Sequence, residues 1–353
     1  MTHALVGSYT EPGSGTGTGV SRLALAADGL IAGVELAGTG LRNPSFLAST
    51  SSSGGRGVLY AVEELDDGTL AALDPGTLTL RWRTPTSGSD PCHLGVVDGS
   101  VWVANYSSGT VAVLPGVDKL PGPVSVLLAN PGSGPVADRQ EGSHAHQVVP
   151  TGWGTVLVAD LGADRVDEYL AQIPHTLLRS AQLPAGTGPR HVVLQAAGRH
   201  PTETLWVAGE LDAQLHRFTR EENGAWTRAG SMALYDAANP AVDAGAERYP
   251  SHLQANTGGT LLYAAIRGRN TIAVVDISGT EPHLVAEVDC GGNWPRHFAV
   301  GRSLLYVANQ LSDEISVFAL DGAGLPGAEP VQRFAIGSPT CILLPPSAGA
   351  GSR

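Results

Sequence analysis

One short pattern recurs seven times along the chain, and it limits the fold more than any other feature. Each copy opens an apolar run: Pro44-Ser-Phe46, Pro91-Cys-His93, His144-Ala-His146, Pro189-Arg-His191, Pro250-Ser-His252, Pro295-Arg-His297 and Pro339-Thr-Cys341. Aligned on Phe46, His93, His146, His191, His252, His297 and Cys341, successive copies lie about 44 to 61 residues apart. A loose period of this length, with variable loops, signals a stacked or closed array rather than unrelated domains.

A second apolar strand follows most copies, as in Trp102-Val-Ala-Asn105, Leu157-Val-Ala-Asp160, Trp206-Val-Ala-Gly209 and Tyr306-Val-Ala-Asn309. A third follows in turn, such as Thr110-Val-Ala-Val or Thr271-Ile-Ala-Val, and a variable stretch fits a fourth. Alternation between Gly-rich turns is the signature of antiparallel strands, and no segment holds a helical period. Four short strands repeated seven times predict an all-β, seven-bladed β-propeller, in which radial repetition leaves only short sheet edges.

The chain ends explain how such a ring closes. The strand at Pro339 has no second strand after it, and the strand at residues 5–9 has none before it. The C-terminal strand is therefore expected to join the N-terminal blade. Residues 1–344 form one domain on this reading, and 345–353 a flexible tail.

Composition narrows the class of function. A formal charge of -12, with no basic stripe to offset it, argues against a nucleic-acid or anionic-membrane partner. Lys119 is the one lysine, so any anion site must be built from guanidinium groups, which suit bidentate contact with carboxylate or phosphate. Cys92, Cys290 and Cys341 make an odd count, which favours a reducing compartment. No signal segment and no apolar run long enough to span a bilayer are visible, so a cytoplasmic location is expected. Oligomeric state is left open.

His144-Ala-His146 together with Ala159-Asp160-Leu-Gly-Ala-Asp164, Gly188-Pro-Arg190-His191, Tyr249-Pro-Ser-His252, Arg267-Gly-Arg-Asn270 and Trp294-Pro-Arg296-His-Phe298 resembles the lactonase family of seven-bladed propellers. That family includes propeller-type 6-phosphogluconolactonases and fungal carboxy-muconate lactonizing enzymes. The resemblance runs from Val6 to about Leu344. It implies a catalytic set of one His, two Arg and one Glu, for which His146, Arg190, Arg267 and Glu210 are the matching positions, with His144 in place of His146 if the frame shifts. It also implies a small anionic lactone as substrate; no cofactor is expected.

Strand geometry leads to the same rim. If the repeated strands are innermost, their starts and the ends of the second strands share one mouth of the channel. That mouth gathers His146, Arg190 and His191 with Glu210 and Arg267. His144, His191, Arg296 and Asp160 are the candidate substrate-binding residues. In lactone hydrolysis a base activates water and a cation stabilises the oxyanion. Glu210 is favoured as base, and His146 as proton donor to the leaving alkoxide.

Each assignment has a plainer counterpart. The aligned histidines could bond blade to blade, Glu210 and Arg267 could lock two blades as an ion pair, and Cys92 and Cys341 fit as small apolar residues. The His144/His146 spacing could present two metal ligands, but no standard zinc set accompanies it, so no metal is expected. Three functions fit: hydrolysis of a sugar-acid lactone such as 6-phosphogluconolactone, cycloisomerisation of a muconate-like dicarboxylate, or ligand binding without catalysis.

Overall fold

The computed structural model describes residues 2–38, 40–50, 57–115, 124–197, 202–239 and 245–345. It folds the repeats into seven four-stranded antiparallel sheets. One edge of each sheet is the strand that carries the repeated pattern: Pro44–Thr50, Pro91–Val97, Ala145–Pro150, Pro189–Gln195, Arg248–Ala255, Pro295–Val300 and Pro339–Leu343. These seven touch one another around a closed ring and are the inner strands of a propeller. Pro339–Leu343 completes the blade of Thr2–Ser8, Val20–Leu25 and Ile31–Gly38, with Leu5, Val6 and Gly7 opposite Leu343, Ile342 and Cys341. Both chain ends thus share one sheet. Of the expected tail, only Pro345 lies within the described residues.

Burial falls from the axis outward for a simple reason. A second strand such as Val58–Glu63 or Thr155–Asp160 is covered on both faces by neighbouring blades, so every residue in it is buried and the run is almost continuously apolar. The outermost strand Leu80–Pro85 alternates between exposed and half-buried residues. The core is accordingly divided into seven clusters, each shared by two adjacent blades; Trp102 and Val113, for example, pack on Val148 and Val156.

All seven inner strands carry one extra residue near their start, a β-bulge that interrupts pairing with the second strand. The bulged residues are Ser45, Cys92, His146, Arg190, Ser251, Arg296 and Thr340. This corrects the sequence alignment at one copy. Ala145, not His144, takes the place of the repeated proline, since it faces Asp160 as Pro189 faces Gly209. His146 therefore aligns with Arg190 and Arg296, and Gln147 joins Phe46, His93, His191, His252, His297 and Cys341 one position on.

That second set meets around the axis, with the rings of His252 and His297 at 3.9 Å and those of His191 and His252 at 5.0 Å. Its members bond blade to blade. His93 Nδ1 accepts from the Val148 amide, Gln147 Oε1 from Val192 and His297 Nδ1 from Ile342. Burial, then competition among the neighbouring imidazoles and the nearby arginines, depress the pKa of His191 and His252 far below 6.5, and that of His93 and His297 to about 3. The unfolded chain binds protons at these sites below about pH 6.5 while the native ring stays neutral. Stability should then fall as pH drops through that value, by roughly 1.4 kcal/mol per pH unit for each such histidine. Urea unfolding midpoints that stay flat between pH 7 and pH 5 would contradict this.

Candidate active site

Two positions per blade build one mouth of the channel. The first is the bulge, whose side chain is freed from the sheet ladder. At four blades it is small and spent on closing the ring: Ser45 Oγ, Ser251 Oγ and Thr340 Oγ1 donate to the Pro91, Pro295 and Pro44 carbonyls of the next blade, and the Cys92 thiol to that of His146. At the other three it is His146, Arg190 or Arg296. The second position follows the second-strand residue that faces the repeated proline or its equivalent, and holds Tyr9, Glu64, Tyr106, Leu161, Glu210, Arg267 and Gln310. Glu210 opens a short turn that ends at the left-handed Ala213 (φ 55°).

Glu210, only 3% exposed, is the centre of the cluster. Its Oε2 lies 2.8 Å from both Arg190 Nε and Arg267 Nη2, and its Oε1 2.5 Å from Arg139 Nη2. The Arg190 Nε contact lacks hydrogen-bond alignment and is an ion pair, while Arg190 Nη1 donates to the Ser251 carbonyl of the next blade. Burial pushes the Glu210 carboxyl up, but Arg267, Arg190 and Arg139 together outweigh it and hold the pKa at about 2. The crowding shows on the cations as well. Desolvation and Arg267 lower Arg190 to about 9, and burial lowers Arg267. The Arg267 guanidinium also stands 5.3 Å over the Trp294 ring.

His146 faces the same cations. Its ring is edge-on to Tyr106 at 5.5 Å, and its Nδ1 is 3.8 Å from Cys92 Sγ. Burial, then Arg190, Arg296 and Arg267, drive its pKa well below 6.5, so the imidazole is neutral at pH 7. Across the mouth Arg296 pairs with Glu64 at 2.8 Å and lies 4.8 Å over Tyr9. Burial raises the Tyr9 phenol well above its ordinary value, against the pull of Arg296. Four guanidinium groups against the carboxylates of Glu64 and Glu210 leave the cluster with two positive charges inside a chain of net charge -12.

The structure thus brings together His146, Arg190, Glu210, Arg267 and Arg296. Of the other sequence candidates, His191 packs edge-on against His146 at 5.8 Å, while His144 and Asp160 are engaged by other partners. His144 stacks on Tyr106 at 4.6 Å, and its ring nitrogens engage the Tyr106 carbonyl and Glu141, so it is not a free donor beside His146. No group of three or more His, Cys, Asp or Glu among the described residues could hold a metal ion. Asp160 spends its oxygens on the His144 and Ala163 amides and Arg165, because Leu161 takes the inward position. His191 belongs to the axial ring, where its Nδ1 is 3.1 Å from that of His252. Sequence reasoning missed Arg139, Tyr106, Tyr9 and Glu64. Aligning the residues that follow the second strands would have found the last three; Arg139 sits on a loop outside the repeat.

The model for the family described as lactonase, 7-bladed β-propeller, matches residues 3–344. A 6-phosphogluconolactonase of Formosa agariphila is 26% identical over 351 residues, covering 90% of this chain and 92% of the relative. Among solved structures, a periplasmic gluconolactonase of Pseudomonas aeruginosa is 28% identical with a TM-score of 0.84, over 97% of this chain and 98% of that one. A protein from Lactobacillus plantarum is 25% identical with a TM-score of 0.85, over 98% and 99%. With seven blades closed by both chain ends and a family match across nearly the whole sequence, this chain belongs to the lactonase family of seven-bladed β-propellers.

Proposed function

We propose that this protein hydrolyses the lactone of an anionic sugar acid, with 6-phosphogluconolactone the foremost substrate. The observation that carries this reading is a neutral, buried imidazole in the field of Arg190, Arg296 and Arg267, two of which share Glu210 with Arg139. The relatives named for 6-phosphogluconolactone and gluconolactone support the reaction class.

The geometry supports a division of roles opposite to the one favoured from sequence. Glu210 has both oxygens held by guanidinium groups and a pKa of about 2, which makes it a poor base. Its role is to orient Arg190 and Arg267. His146 removes a proton from water, and the hydroxide attacks the lactone carbonyl. Arg190 and Arg267 stabilise the oxyanion that forms, in a site where burial strengthens every charge interaction. The ring C–O bond then breaks, and the imidazolium returns its proton to the departing alkoxide. The cations that keep His146 neutral also weaken it as a base. An anionic substrate offsets their field, so binding itself raises the proton affinity of the imidazole.

The test is to assay the purified protein on gluconolactone, 6-phosphogluconolactone and carboxymuconate. Acid release above the spontaneous rate from a lactone is the expected result. Turnover of carboxymuconate alone would establish a cycloisomerase instead, and no turnover of any would leave a binding propeller. A cytoplasmic location fits three cysteines that are free and buried, and no helix among the described residues is long and apolar enough to cross a membrane. Fractionation of cells that make the protein tests it.

A further inference from the structure

Arg139 differs from the other arginines of the mouth in origin and in exposure. Arg190, Arg267 and Arg296 project from the strands of their blades, and their side chains are 5%, 10% and 14% exposed. Arg139 comes from residues 130–144, the connection that links two blades, and its side chain is 35% exposed. The loop is nevertheless built to hold it. Gln140, fully buried, donates to the Leu161 carbonyl and to Asp164, and accepts from the Val136 amide. The Arg139 amide in turn donates to the Val136 carbonyl.

Only one nitrogen of this guanidinium is engaged among the described residues. Nη2 bonds Glu210 at 2.5 Å and Tyr106 Oη at 3.4 Å. Nε and Nη1 carry no hydrogen bond among the described residues and are left for a ligand, and each can donate a charge-assisted bond to a phosphate oxygen. Glu210 already has Arg190 and Arg267 on its second oxygen, so Arg139 exceeds what that carboxylate requires. The surplus of two positive charges in the cluster equals the charge of a phosphate monoester, which carries about two negative charges near neutral pH.

We infer that Arg139 is a specificity-determining residue that recognises a phosphoryl group on the substrate, at the solvent side of the site. This rests on the lactonase reading for the identity of the sugar acid, and its test needs no turnover. Affinities of 6-phosphogluconate and gluconate are measured by calorimetry for the wild type, Arg139→Ala and Arg139→Lys, each checked for its thermal unfolding midpoint. The wild type should prefer the phosphorylated acid by at least about tenfold, and Arg139→Ala should lose most of that preference. Arg139→Lys should keep an intermediate preference, since the charge remains and the fork does not. If Arg139→Ala fails to fold, Arg139→Lys carries the test through its reduced preference. Equal affinities in the wild type, or a preference that survives substitution, overturns the assignment. A merely structural Arg139 would lower both affinities together and leave their ratio unchanged. Absence of lactone hydrolysis, by contrast, would remove the hydrolase reading without touching this ratio.

Discussion

His146→Asn should reduce lactone hydrolysis above the spontaneous rate by on the order of 100- to 10,000-fold, the usual cost of a lost general base. The native fold should persist, because the axial ring is made by Gln147 and its equivalents rather than by His146. The acid limb of kcat/KM should also lie well below pH 6.5 in the wild type. The imidazole is held neutral by burial and by Arg190, Arg296 and Arg267, so activity is lost only as pH falls through that depressed value. Glu210→Gln is a less direct probe. Removing the carboxylate leaves Arg139, Arg190 and Arg267 facing one another in a buried site, and loss of one partner from such a group typically costs about 3–5 kcal/mol. A folded His146→Asn protein with near-normal turnover on a lactone that the wild type hydrolyses would overturn the assignment of the base.

Deletion from Pro339 onward should abolish cooperative unfolding altogether, whereas deletion from Ser347 onward should leave the melting curve in place. The longer deletion removes the strand opposite Leu5 to Ser8 and exposes Val6 and Leu23 of the core cluster that Ile342 covers. It also strips the Ile342 amide from His297 and the Thr340 hydroxyl from the Pro44 carbonyl, so the two flanking blades lose their seam as well. Differential scanning calorimetry of both truncations decides the matter. A Pro339 truncation that melts like the full chain would mean that the ring holds without its closing strand.

The fold was legible because each repeat writes the same physics twice. Five of seven inner strands begin with a proline and a sixth carries Pro250 at its third residue, and the second strands are continuous Val, Ala and aromatic runs that only a doubly covered strand requires. The site was legible only where it coincides with that repeat. Arg190, Glu210 and Arg267 occupy repeated positions and could be read from them. His146 was misaligned by one residue because His144 and His146 offered two registers and Ala145 replaces the guiding proline. Asp160 looked inward from sequence but stands one residue short of the mouth position, which Leu161 fills. Tyr9, Glu64 and Tyr106 share a position with Leu161, Arg267 and Gln310, so no single residue type marked it. Arg139 has no counterpart in other blades and depends on how Gln140 anchors a non-repeating loop.

The seven bulges have a consequence for how such a protein can diversify. A residue that sits outside the hydrogen-bond ladder can be exchanged without unzipping the sheet around it. Ser45, Ser251 and Thr340 spend that freedom on joining neighbours, while His146, Arg190 and Arg296 turn it toward the charged cluster at the mouth, Arg190 keeping a bond to the next blade as well. Mutation can therefore move a position from one use to the other singly, at the loss of one inter-blade hydrogen bond. Its side chain is delivered to the same central mouth each time. A ring of this kind can change its reaction one blade at a time while its architecture stays fixed.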